Sequence, residues 1–179
     1  MEISVIFFSI VQSFGISLGV GASTIAILNF FQAIADGTIS DTERNFMGIT
    51  YKVLRVVMII ILVSSIILAY LGYSAQGIEY FTSYKIAQLI LILGLYVNAL
   101  LMTLRVMPST FGPAIQVSSW YALGFILTLV PHGLTNFSLL VFILAYLTLI
   151  ILAMSIINSI MAHLKIEQEK KRILKQNKF

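Results

Sequence analysis

The sequence predicts an all-α polytopic integral membrane protein, a bundle of about five transmembrane helices with the N-terminus outside and the C-terminus inside. Three observations carry this expectation. The chain is 59% hydrophobic and only 10% charged, with a mean hydropathy of +1.00, whereas soluble domains are about 25% charged. Five apolar stretches, near 3–30, 56–74, 86–104, 113–131 and 137–161, each approach the roughly 20 residues that cross a hydrocarbon core of about 30 Å. Finally, the loops alternate in basic content. Arg44, Lys52, Arg55 and Arg105 fall on one side with the six basic residues of the last fifteen, and Lys85 alone on the other. By the positive-inside rule the basic side is cytoplasmic.

The first stretch stays apolar from Ile3 to Ile34, longer than the bilayer is thick, so its helix is expected to project into the cytoplasm. Glu2 stands where a secretory signal carries Lys or Arg, and the run exceeds a signal's short apolar core, so the helix reads as retained. Asp36-Gly37 supplies a helix stop. Ser40-Asp41-Thr42-Glu43 is a capping box: Ser40 accepts from the Glu43 backbone, and Glu43 reaches back to Ser40. The second helix therefore starts near Asp41, ahead of its membrane stretch, and a helical hairpin over about 30–55 stands on the cytoplasmic side. Its apolar residues, Phe30, Phe31 and Ile34 against Phe46, Met47 and Thr50, are placed to pack together or to lie at the lipid interface.

Ala75–Lys85 reads as an external loop, Arg105–Gly112 as a cytoplasmic one, and Pro131-His132-Gly133 as a tight external turn. Lys165–Glu169 and Glu167–Lys171 have the i,i+4 spacing that supports an exposed helix. They carry the fifth helix past Ala162 into a basic tail over 162–179, suited to anionic lipid headgroups. Residues 1–179 thus form a single transmembrane domain. The net charge of +4 lies at the ends of apolar spans, which argues against a nucleic-acid groove.

On the first helix Gln12, Gly15, Gly19, Ala22, Ala26, Asn29 and Ala33 recur at steps of three and four. They occupy one face, all small or amide, and form a helix-packing seam centred on Gly15-x-x-x-Gly19. Leucine at Gly19 is expected to destabilise markedly and alanine only slightly. The third helix has a matching stripe of Gln88, Leu91, Leu95, Asn98, Met102 and Arg105. Polar side chains in lipid turn toward the bundle, so Gln12, Gln88, Asn98 and Gln116 are expected to form one buried polar cluster. Thr148, Ser155 and Ser159 share a face of the fifth helix, with Asn158 beside them.

Reactive chemistry is sparse. There is no cysteine, which excludes thiolate metal sites, disulfides and cysteine nucleophiles. His132 and His163 fall at opposite membrane faces, so they cannot ligate one haem within the chain. No Asp or Glu lies within a span, which argues against a carboxylate proton relay. No cofactor, metal or catalytic set is assigned.

Gly19-Val20-Gly21-Ala22-Ser23-Thr24, followed by Ala35-Asp36-Gly37-Thr38-Ile39-Ser40 and Glu43-Arg44, resembles a pattern in small prokaryotic polytopic membrane proteins of uncharacterised function. The likeness covers the first third of the chain. It implies a prokaryotic cytoplasmic membrane and brings no activity.

The first functional expectation is a non-enzymatic membrane protein that assembles with itself or with partner subunits. A small transporter or channel for an uncharged or weakly charged solute is second, and an enzyme dependent on a bound cofactor or partner third. A polar cavity continuous across the bundle would favour transport; a dry core with an exposed apolar face would favour assembly.

Overall fold

The computed structural model describes residues 2–36, 40–107 and 111–176. It contains five long helices, α1 (Glu2–Asp36), α2 (Asp41–Gln76), α3 (Ser83–Thr103), α4 (Phe111–Leu129) and α5 (Leu139–Gln176), with no strand among the described residues. All five are long and apolar enough to cross a membrane, and the chain is an integral membrane protein. At 1.5 Å per residue, α1, α2 and α5 (35, 36 and 38 residues) extend about 52, 54 and 57 Å, well beyond a core of about 30 Å. Their surplus length lies on one face, called here the tail face.

The capping box forms as the sequence requires. Ser40 Oγ accepts from Glu43 N at 3.3 Å, while Glu43 Oε2 accepts from Ser40 N at 2.8 Å. These bonds to the ionised carboxylate, the backbone one first and the Ser40 hydroxyl second, lower the Glu43 pKa below its ordinary 4.5. A depressed folded value means the box contributes fully above pH 4.5 and is lost as pH falls through the lowered value. Ser40→Ala is expected to cost about 1 kcal/mol and to speed amide exchange at 41–46. Acidification of the parent through the lowered value should likewise reduce protection at 41–46, measured against the intrinsic exchange rate at each pH, and leave the spans unchanged; protection that does not vary with pH would show that Glu43 is no part of the cap.

Several expectations are corrected. Phe46 is exposed rather than packed on α1, whereas Thr50 four residues on is buried. The Gly37 stop and the side chains of Ala33 and Ile34 lie outside the described residues. The supposed 75–85 loop is mostly helical: α2 runs to Gln76, a 3-10 turn follows at Gly77–Tyr80, and α3 already starts at Ser83. Lys85 thus sits in the first turn of a helix. Arg105 leaves the α3 stripe, because the helix ends at Thr103 and Arg105 takes a left-handed φ of 58°. Arg105 N donates to Met102 O and Val106 N to Leu101 O, the paired bonds of a Schellman stop. Lys165 and Glu169 make no ion pair; α5 continues to Gln176 without it.

Packing is organised around α1 and α4. α1 lies against α2, α4 and α5, while α3 packs on α4. Ile16, Val57, Ile61, Leu91, Leu95, Trp120 and Leu123 are fully buried and form a dry middle layer. Gly15 and Gly19 are both buried in it. A Cβ at Gly19 would lie 2.2 Å from Trp120 Cζ3, and one at Gly15 would lie 3.0 Å from Ile61 Cγ2. The seam is therefore filled within the chain, by α4 and α2. This overturns the expectation that alanine at Gly19 is tolerated, since a single methyl already meets a buried ring.

Candidate functional site

The four amides of the anticipated polar cluster do not gather at one place; the structure divides them into two layers. On the face opposite the tail, Gln12 is buried and its Nε2 donates to Ser65 Oγ at 2.6 Å, joining α1 to α2. Gln88 lines the same narrow crevice as Gln12 and Ser65. Toward the tail face, Asn98 Nδ2 donates to Gly112 O at 2.9 Å and to Gln116 Oε1 at 3.0 Å, joining α3 to α4. Gln116 Nε2 reaches the Met58 sulfur at 4.0 Å, a weak acceptor. Gln88 and Asn98 are ten residues apart on α3, so the two layers are separated by about 15 Å.

The middle layer divides these polar levels. On the face opposite the tail, a cavity of about 280 Å³ is lined by Ser9, Gln12, Ser13, Thr82, Lys85 and Thr135, among others. On the tail side, a hollow of about 40 Å³ is lined by Ser23, Tyr51, Met102 and Gln116. Between them stand Ile16, Ile61, Leu91, Leu95 and Trp120, all fully buried. Side chains of this kind offer water and polar solutes no hydrogen-bond partner.

Local sequence explains how the cavity is framed. Gly72 lets the Tyr80 ring lie directly on α2, where a Cβ would come within 2.2 Å of the ring. Thr82 begins α3 without a side-chain cap, and Tyr84 N instead donates to Thr135 O at 3.0 Å. That bond ties the start of α3 to the α4–α5 connection. Lys85 Nζ then lies 5.4 Å from the Tyr80 ring centre and 5.3 Å from that of Tyr84, within cation–π range.

Of the remaining seam residues, Ala22 is buried, and Ala26 and Asn29 are half-buried. Asn29 Nδ2 is enclosed without a hydrogen-bond partner. Sequence reasoning passed over Ser65, Ser119, Tyr121, Tyr146 and the placement of Lys85. Ser119 and Tyr146 hydroxyls meet at 2.6 Å between α4 and α5, and Thr24 and Tyr121 hydroxyls at 2.9 Å between α1 and α4. Hydroxyls within apolar spans were the available signal, but they commonly bond back to their own helix, as Ser64 does here.

α5 is the peripheral helix. Phe142, Tyr146 and Leu149 turn toward the core, but almost none of its apolar length is buried. The opposite face exposes Thr148, Ser155, Asn158 and Ala162. Beyond the apolar stretch it exposes Ile166 (52%) and Ile173 (56%). Lys165 and Lys170 are also exposed, whereas the side chains of Lys171, Arg172, Lys175 and Lys178 lie outside the described residues. No protein-family model, curated protein or solved structure matches the chain, so what the site does is read from its own residues.

Proposed function

We propose that this is a non-enzymatic protein of a prokaryotic cytoplasmic membrane, with its N-terminus outside and tail face inside, that assembles with a second copy through α5. The observation that carries the reading is the outward face of that helix. A surface turned to lipid gains nothing from Thr148, Ser155 and Ala162, and the exposed Asn158 amide lacks partners in hydrocarbon. Small and hydroxyl residues seven apart (148, 155, 162) suit close approach of an identical helix. The register continues past the membrane, where Ile166 and Ile173, again seven apart, expose apolar surface that a parallel partner would cover. Lys165 and Lys170 on the same extension suit anionic headgroups. The glycine seam on α1 does not support assembly, because Trp120 and Ile61 fill it internally.

A small transporter is the second reading, supported by the two polar hollows; the dry layer between them ranks it lower. The cysteine-free sequence allows one set of single-cysteine variants to test both orientation and contact. Under oxidation in native membranes, Ser155→Cys should give a disulfide dimer, since paired Cα atoms must come within about 7 Å. Ile59→Cys, also exposed but on α2, should not. Equal yields, or none at Ser155, would remove the assembly reading. Gln76→Cys should react with an impermeant thiol reagent on intact cells and Asp41→Cys should not; the reverse pattern would invert the topology.

A further inference from the structure

The cavity opposite the tail face holds a charge without a counter-charge. Lys85 Nζ lies against the Tyr80 and Tyr84 rings and forms no ion pair among the described residues. An ammonium flanked by two rings is partly desolvated, and its three N–H donors exceed the two rings beside it. Behind it, Gln88 is only 3% exposed, and its Nε2, beside the Tyr84 side chain, carries two N–H donors and has no partner at full hydrogen-bond geometry. A buried amide donor left unpaired is costly, so its retention calls for a partner. The narrow crevice that Gln88 lines shares Gln12, Tyr80 and Lys85 with the larger cavity, so Gln88 stands just behind that cavity's wall.

Three further features favour an anion there. Ser9, Ser13, Thr82 and Thr135 line the cavity, and their hydroxyls make no hydrogen bond among the described residues. Thr82 gives the first turn of α3 no side-chain cap, and although Tyr84 N is taken by Thr135 O, the positive end of the helix still favours an anionic oxygen nearby. No carboxylate lines either space. The volume of about 280 Å³ is below the ~300–1,000 Å³ of sites for drug-sized ligands, which selects a single headgroup-sized moiety.

We propose that this cavity is a phosphate-group site, with the Lys85 ammonium as the anion's principal partner, the Gln88 amide as buried second donor, and the cavity hydroxyls completing the shell. A phosphate has oxygens enough to use these dispersed donors together, whereas a neutral solute would leave the ammonium charge uncompensated. The position, in the first turn of a membrane helix, is open both to a phospholipid headgroup and to a free phosphate. The site lies on α1, α3 and the connections, away from the outward face of α5, and stands or falls independently of assembly.

The test uses the full chain in detergent micelles, with short-chain phosphatidylglycerol and inorganic phosphate as probes and native mass spectrometry with thermal shift as readouts. Phosphatidylglycerol is expected to bind the parent and raise its melting temperature. Lys85→Gln should weaken that binding roughly tenfold or more, the effect of losing a charge-assisted contact. Lys85→Arg should retain most of it. Gln88→Leu, which keeps the charge and the volume, should weaken binding while leaving the unliganded melting temperature unchanged or higher. It keeps the test decisive if Lys85→Gln folds poorly. Stabilisation by phosphatidylglycerol alone assigns the site to a lipid headgroup; equal stabilisation by inorganic phosphate assigns it to the free anion. If neither probe binds the parent, or both variants bind as the parent does, the site is an aromatic anchor for Lys85 and the proposal is wrong.

Discussion

Gly19→Ala is expected to lower the stability of the detergent-solubilised protein by about 1–3 kcal/mol, the usual range for overpacking a close-fitted interior. The added Cβ would sit 2.2, 2.4 and 2.6 Å from Trp120 Cζ3, Cε3 and Cη2. Trp120 is fully buried, so the ring cannot swing aside, and α1 must back away from α4 with loss of dispersion contacts along both helices. Gly21→Ala is the matched control: it adds the same methyl two residues on, where nothing lies within 4 Å. That change should be neutral, or slightly stabilising because alanine is the better helix former. Thermal unfolding of the two variants side by side decides the matter. Equal melting temperatures would mean that Trp120 does not rest on Gly19.

Trp120→Ala should have the larger effect, about 3–5 kcal/mol, because it removes the largest side chain of the dry layer and leaves a void between α1 and α4. The indole nitrogen is buried and makes no hydrogen bond, so Trp120→Phe loses packing but no polar contact and should cost much less. The two sites are coupled by direct contact. In the Trp120→Ala background Gly19→Ala should cost little, since the atoms it would meet are gone. Additive losses in the double mutant would show that the two residues act separately. Restored stability with a newly acquired leak of polar solutes would move the transporter reading ahead of assembly, because Trp120 would then be a plug between the hollows.

The features legible in the sequence share a physical basis in short range. The capping box needs only Ser40 to Glu43, and both of its bonds are present. The fifth helix runs past Ala162 because nothing in 162–176 breaks it. The start of α3 was misplaced because Tyr84-Lys85 reads as polar surface, although a tyrosine ring and a lysine stem pack well at a membrane-facing turn. The third-helix stripe was correct from Gln88 through Asn98, all of whose expected members are buried, and failed at Arg105 where the helix stops. Periodicity assigns a residue to a face but carries no information about depth. Gln12, Gln88, Asn98 and Gln116 each turned inward, yet they met as two layers rather than one cluster.

The number of helices long and apolar enough to cross a membrane, their approximate bounds and the inward turn of the polar residues were thus determined by the sequence alone. Each follows from apolar length or from contacts within four residues along the chain. Only the tertiary structure decided what fills the glycine seam, which amide meets which, and where Lys85 points. Gly19 and Trp120, Gln12 and Ser65, and Lys85 and Gln12 stand in different helices. Their meeting depends on how whole helices slide and rotate against one another, set by the summed packing of many side chains at once. No local spacing records that sum.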